Sequence, residues 1–451
     1  MKNLEWCWIP KYVHPDVAGV TFGGFMVSRY ICSQPNAFNA ANGDKPDVAD
    51  SAAPGNVPAF SVAGKPTWRY ISYWNARIAA ANANTIDGPG VHLLTAFEWA
   101  SLALLSHKYG ILPHGNNANV TPPADVTYTS EIALLDQAAI ARSATYYASL
   151  TGTGPATWNL LHHPNGPADL NGNMWEWTMG LHMQTADEVV NIASIDGDAT
   201  TISVTTATAH GLIAGNNVTI AGTVGYNGVY TIATAADTTH LTITDAAHNL
   251  AAETVGTAGH QGHALVLASL NASLAGAPYG RSTAVGAATL TDTDKAWTVN
   301  YFTAGGGAGV TCYLMDSAGT RFTIASNTAT QITVSSGNPA SGPYEIVRDT
   351  GTHIANGLTS GNRILTLRNS DAALKGLAIP ATSDGTGATA YGTDGYWFDT
   401  VDSGSAPNNI RTALRGGIWS SGSNAGVFAL NLTGVSASAI ISIGFRLGKA
   451  V

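Results

Sequence analysis

The chain has 451 residues, of which only 11% are Asp, Glu, Lys or Arg, and its formal net charge is −9. Ordinary globular domains are roughly a quarter charged; even so, a 45% share of hydrophobic residues, with 11 Trp and 16 Tyr, excludes a disordered sequence. There is no basic run, so the electrostatic footprint of nucleic-acid binding is missing, and no charge-free apolar stretch has membrane-spanning length.

Residues Met1 to Val20 contain no apolar core of a secretory signal, which predicts a soluble chain made in the cytoplasm without a signal peptide. The missing charge is replaced by Thr, Ser, Asn, Ala and 50 Gly, a mixture suited to short strands and tight turns. Cys7, Cys32 and Cys312 form no CxxC pairing and read as free, buried thiols.

In chain order, Ser72 to Ala83 reads as an Ala-rich helix stopped by the turn Asp87-Gly-Pro-Gly90. Thr95-Ala-Phe-Glu98 fits a capping box, because a threonine hydroxyl and a glutamate three residues on can each accept from the other's amide. Phe97, Trp99, Ala100, Leu102, Ala103 and Leu104 then supply an apolar face, and Gly110 a stop. A weaker helical stretch is expected from about Ser130 to Ser149. His162 and His163 stand in a Pro/Gly loop and read as solvated surface rather than a ligand pair, and the aspartates show no calcium-loop spacing. No metal and no cofactor are therefore expected.

The texture changes near residue 188. Thr201-Ile-Ser-Val-Thr205, Val218-Thr-Ile220, Val229-Tyr-Thr-Ile232 and Leu241-Thr-Ile243 alternate with period two between Gly and Asn turns. A second such stretch holds Trp297-Thr-Val299, Val310-Thr-Cys-Tyr313, Phe322-Thr-Ile324 and Ile332-Thr-Val334. After Asp349 the Trp- and Gly-rich texture returns. The expected organisation is a host domain in pieces, residues 1–187, 259–283 and 350–451, interrupted by β modules at 188–258 and 284–349, since loop tips tolerate insertion.

Three pieces of the host carry a resemblance. His92-Leu-Leu-Thr-Ala-Phe-Glu-Trp99 is similar to the "RLPTEAEWE" helix start of the formylglycine-generating enzyme and sulfatase-modifying-factor family. Asp169-Leu-Asn-Gly-Asn-Met-Trp-Glu-Trp177 is similar to its "DMxGNVWEW", and Leu414-Arg-Gly-Gly-Ile-Trp419 with Ile443-Gly-Phe-Arg446 to its "RGGSW…GFR" ending. The resemblance covers about residues 1–187 and 351–451 and implies an α+β, C-type-lectin-like fold carrying the two small all-β modules. From the residues themselves, Trp175 and Trp177 share one strand face and should bury, while Glu176 faces the other way and needs a partner such as an arginine. Arg415 and Arg446 are natural fork donors, and Gly416 and Gly417 allow a left-handed turn.

The enzyme implied by that family needs paired cysteines and copper between its last two motifs, or histidines for iron. No Cys follows Cys312 and residues 354–451 contain no His, so catalysis is not expected. Residues 414–447 instead resemble the terminal variable region of proteins diversified by diversity-generating retroelements, which are tail-tip proteins of phages or bacterial-surface proteins. There, adenine mutagenesis of AAC-type codons cannot yield Lys, Gln, Glu, Met or Trp, and Ser420 to Ile443 contains none of the five.

The expected binding residues are Ile418, Ser420, Ser421 and Ser423 around Trp419, then Ser436, Ala437, Ser438, Ala439, Ile440, Ile441 and Ser442. Trp175, Trp177, Arg415, Trp419 and Arg446 are the expected scaffold beneath them. Val427 to Leu432 reads as framework, with Phe428 able to reach the surface. The function so implied is receptor or ligand binding, to a cell-surface protein or glycan, on a virion tail or cell surface. Small side chains make weak contacts, so avidity from a homo-oligomer, a trimer by analogy with tail fibres, is expected, beside other virion tail proteins. The alternatives are a relative of the sulfatase-modifying enzymes, non-catalytic or iron- or copper-dependent, and a purely structural virion protein.

Overall fold

In this computed structural model, period-two alternation marks barrel strands such as Thr201–Thr206 and Asn217–Ala221, while central strands such as Trp175–Gln184 are buried throughout. The structure describes residues 4–37, 53–137, 139, 144–184, 187–208, 210, 212, 214, 217–260, 263–269, 274–303, 305–310, 312–354, 358, 360–371, 374–385, 389–398 and 410–450. Strand accounts for 38% and helix for 10%.

The largest sheet has 13 strands and is centred on Trp175–Gln184, every residue of which is buried. That strand pairs antiparallel with His263–Leu267 and Ile410–Gly416, and parallel with Ile443–Phe445. On one side the sheet continues from Ile410–Gly416 through Gly426–Leu432 to Tyr396–Phe398. On the other, Pro343–His353 bridges His263–Leu267 to Cys312–Met315 and Tyr279–Arg281, so the second Thr/Val/Ile stretch is continuous with the central sheet.

The first stretch closes on itself. Six strands between Asp187 and His260 form a barrel filled by Ile195, Ile202, Val204, Val218, Ile220, Tyr226, Ile232, Leu241 and Ile243. Each strand has one apolar face, and closure removes the unpaired edges that short strands would otherwise expose. The barrel is inserted where Gln184 pairs with His263, across one rung of the central ladder.

Helix α1, Tyr73–Asn82, is capped by Ser72, whose side chain accepts from the amide of Asn75. A single turn, α2, follows at Asn84–Asp87. Helix α3, Ala96–Tyr109, carries the complete Thr95–Glu98 capping box and ends on left-handed Gly110. Its Trp99 donates from Nε1 to the Val427 carbonyl at 2.7 Å, tying helix to sheet. A four-stranded sheet of Trp6–Ile9, Phe25–Ser28, Leu447–Lys449 and Val91–Leu93 joins the two ends of the chain.

The α+β, C-type-lectin-like fold with two small all-β modules is corrected by this architecture: the protein is mostly β, with a closed six-stranded barrel and multiple sheets. The well-capped helices gave the helical content too much weight. Strands buried on both faces, such as Trp175–Gln184 and Gly426–Leu432, lack period-two alternation and understate themselves in sequence. Of the helix expected over Ser130 to Ser149, only Gln137 and Ala139 are helical among the described residues. Leu135 bridges Ser149 instead, and Asp136 is held in a buried ion pair with Arg69.

Candidate binding surface

Strand Ile410–Gly416 runs into Gly416 and Gly417, with φ of +91° and +88°, in the left-handed region. A Cβ on Gly417 would come within 2.7 Å of the Ala425 Cβ, so only glycine lets the chain reverse here. Ile418 N–H donates to Ser421 Oγ and Ser421 N–H to the Ile418 carbonyl, both at 3.0 Å. A one-turn 3-10 helix, Gly422–Asn424, then leads into strand Gly426–Leu432. Residues 417–425 are thus a hairpin tip.

The tip rests on buried supports. Trp419 is buried against Ile31, Met174 and Ile441, and the Tyr146 ring meets it edge-on at 5.4 Å. Asn119 N–H donates to the Trp419 carbonyl at 2.7 Å, and Gly422 N–H to the Asn117 carbonyl at 3.0 Å. Phe428, allowed above to reach the surface, is fully buried, and its N–H donates to Asp394 at 2.7 Å. Burial raises Asp394 well above the usual carboxylate range.

Residues 436–442 form a loop pinned at both ends. Tyr73 N–H donates to the Ser436 carbonyl at 3.0 Å, Tyr70 N–H to that of Ile440 at 3.1 Å, and Trp175 N–H to that of Ser442 at 2.9 Å. Between these pins the side chains sort by direction. Ser420, Ala437 and Ile440 are exposed, Ile440 by 49%. Ile418, Ser421, Ser423, Ser438, Ala439 and Ser442 are half-buried. Ser436 and Ile441 point inward and are framework, because a hydroxyl at Ser436 meets Thr412 and the Ile441 side chain joins the Trp419 cluster.

The scaffold residues behave as their chemistry demands. Trp175 and Trp177 share one cluster, and Trp177 donates from Nε1 to the Ile71 carbonyl at 3.0 Å. On the opposite face both Glu176 oxygens receive Arg446, from Nε and Nη2, at 3.0 Å. Arg446 also donates to the carbonyls of Ser28, Arg29 and Ala168. Burial pushes the Glu176 carboxyl up while Arg446 opposes the shift. Arg415 spends its fork on the carbonyls of Leu377, Ala378 and Phe428.

No protein-family model matches the chain, and no curated protein matches it.

Around the two loops lie residues that sequence reasoning missed. Tyr70, Tyr146 and Tyr147 pack at the edge of the Trp419 and Ile441 cluster with part of each ring in solvent. Beside Asn119, a hollow of about 370 Å³ is lined by Val120, Val126 and Ile132, each exposed. The doublet Tyr146-Tyr147 was the available signal, and the meaning of Tyr146 depended on Trp419, more than 250 positions away.

Among the described residues no group of three or more His, Cys, Asp or Glu is placed to hold a metal ion, and no helix is long and apolar enough to cross a membrane. His162 turns one ring nitrogen to the Leu112 carbonyl at 3.0 Å, while His163 is exposed. All three cysteines are free and buried, and burial pushes the thiols of Cys7 and Cys312 up to about 11 and about 12. Thiols so raised are protonated and unreactive at neutral pH.

Proposed function

We propose that the protein is a recognition protein whose residues 414–447 form a binding surface for a cell-surface protein or glycan. One observation carries this reading. The two C-terminal loops expose Ser420, Ala437 and Ile440, with Ser421, Ser423, Ser438 and Ala439 half-buried beside them and Ile418 packed partly against the core, on a frame buried at Trp419, Ser436, Ile441 and Arg446. Such a frame fixes the ends of the loops while leaving the outward positions free to change. The absence of Lys, Gln, Glu, Met and Trp from Ser420 to Ile443 supports diversification by a retroelement.

Exposed Ile440 beside hydroxyls and partly exposed tyrosines has the mixture of apolar and polar groups that contact patches use. Small side chains favour avidity, so the protein acts as a homo-oligomer on a virion tail. Sequencing the DNA downstream of the Val451 codon tests the diversification. A near-copy of the 414–447 coding segment differing almost only at adenines, beside a reverse-transcriptase gene, is expected. Adsorption of labelled protein to host cells tests the surface itself. Ser420→Trp and Ile440→Asp should reduce adsorption at unchanged Tm, and unchanged adsorption in both would leave a structural virion role.

A further inference from the structure

A cavity of about 380 Å³ opens between α1, strand Val91–Leu93 and strands Tyr279–Arg281 and Pro343–His353. No residue of the loops at 417–442 lines it, and its volume lies in the usual range of small-molecule sites. We propose that this cavity is a second binding site, for a small organic acid with an apolar body and one carboxylate.

The apolar body is accommodated by Leu93, Met179 and the Tyr279 ring, which line the cavity. The carboxylate is called for by donors that the fold leaves short of acceptors. Lys295 is only 5% exposed, and its Nζ donates one hydrogen bond, to the Leu274 carbonyl at 2.7 Å. Its ammonium also faces the Tyr279 ring at 6.0 Å, but no second oxygen accepts a hydrogen bond from it among the described residues. A buried ammonium in that state is costly until an acceptor arrives, and an anionic acceptor relieves it best.

Arg77, 2% exposed, also lines the cavity, and its Nε has no hydrogen-bond partner among the described residues. Its charge is already balanced by Glu345 at 3.6 Å, so Lys295 is the principal anchor. Asp292 attracts the ammonium but makes no hydrogen bond to it. It accepts the Tyr344 hydroxyl at 2.7 Å and the Asp294 N–H at 3.1 Å, and burial pushes its carboxyl up. Arg281 and Asp294 stand exposed at the mouth, where Arg281 attracts an entering anion and Asp294 disfavours a second negative charge. One carboxylate, rather than a diacid, is the match.

The test is calorimetric titration of the full chain with benzoate, phenylacetate and cyclohexanecarboxylate, each paired with its neutral amide. At least one acid should bind about tenfold or more tighter than its amide. Lys295→Met should remove that preference. Arg281→Ala, which also removes a hydrogen bond to Asn82 Oδ1, should weaken the acid severalfold. Failure of all three acids to bind at millimolar concentration, or equal affinity for acid and amide, overturns the proposal even if Lys295→Met does not fold.

Discussion

The Ser436 hydroxyl lies 2.7 Å from the Thr412 hydroxyl, which places the first residue of the C-terminal loop at the end of a buried polar chain. Thr412 Oγ1 also meets His182 Nδ1 at 2.9 Å. His182 Nε2 stands 3.3 Å from Glu345, off hydrogen-bond alignment but within reach of charge attraction, and Tyr73 donates to the same carboxylate at 2.6 Å. The loop is thus wired to strand Pro343–His353 across the central sheet.

Ser436 should therefore behave unlike its neighbours. Ser436→Ala is expected to cost about 1 kcal/mol in urea denaturation, because it removes a buried hydrogen bond to Thr412 and leaves that hydroxyl only His182. Ser436→Tyr should cost considerably more, for want of space. Ser420→Tyr, at an exposed site, should stay within about 0.5 kcal/mol of wild type.

Glu345 predicts a pH dependence. Burial by itself would raise its carboxyl, but His182, Arg77 and Tyr73 overcome this and hold it at about 2, against an ordinary value of 4.5. A depressed folded value means that the unfolded chain binds the proton more readily. The stability contributed by Glu345 is then present above about 4.5 and lost as pH falls towards about 2, on the order of 3 kcal/mol in full. Thermal melts of wild type and Glu345→Gln should converge across that window.

The Glu176–Arg446 pair is fully buried and met from both sides. Removing one partner leaves the other charged and unpaired, so Glu176→Ala and Arg446→Met should each cost about 3–5 kcal/mol. The double replacement should cost less than the sum of the two, which a double-mutant cycle by chemical denaturation would show.

Gly417→Ala combines a φ of +88° with a 2.7 Å clash against Ala425. It should destabilise the hairpin tip by about 1–3 kcal/mol. Hydrogen exchange at the amides of Ile418 and Ser421 should accelerate before exchange at Val427 does.

What sequence made legible was local or pairwise. The Thr95–Glu98 box follows from hydrogen-bonding groups three residues apart, and the Gly110 stop from the left-handed turn that glycine allows. The opposite faces of Trp175 and Glu176 follow from strand geometry, and an arginine partner for Glu176 follows from the cost of burying a charge. The balance of strand over helix was hidden because strands buried on both sides lose their alternation. The inward turn of Ser436 and Ile441, and the tyrosines beside them, were hidden for another reason. Nothing in Ser436-Ala-Ser-Ala-Ile-Ile-Ser442 distinguishes one serine or isoleucine from the next until Tyr70, Tyr73 and Trp175 pin its carbonyls.

The barrel leaves the central strand at Gln184, whereas the hairpin tip follows Arg415, the partner of Glu176, eight residues away or roughly 25 Å along that strand. A pull between barrel and tip would run lengthwise down Trp175–Gln184. The ladders to His263–Leu267 and Ile410–Gly416 lie across that line, so their hydrogen bonds would be loaded in shear and fail together rather than peel one by one. A barrel hung at one end of the strand can also be exchanged or extended as a tether without changing the register that positions the other end.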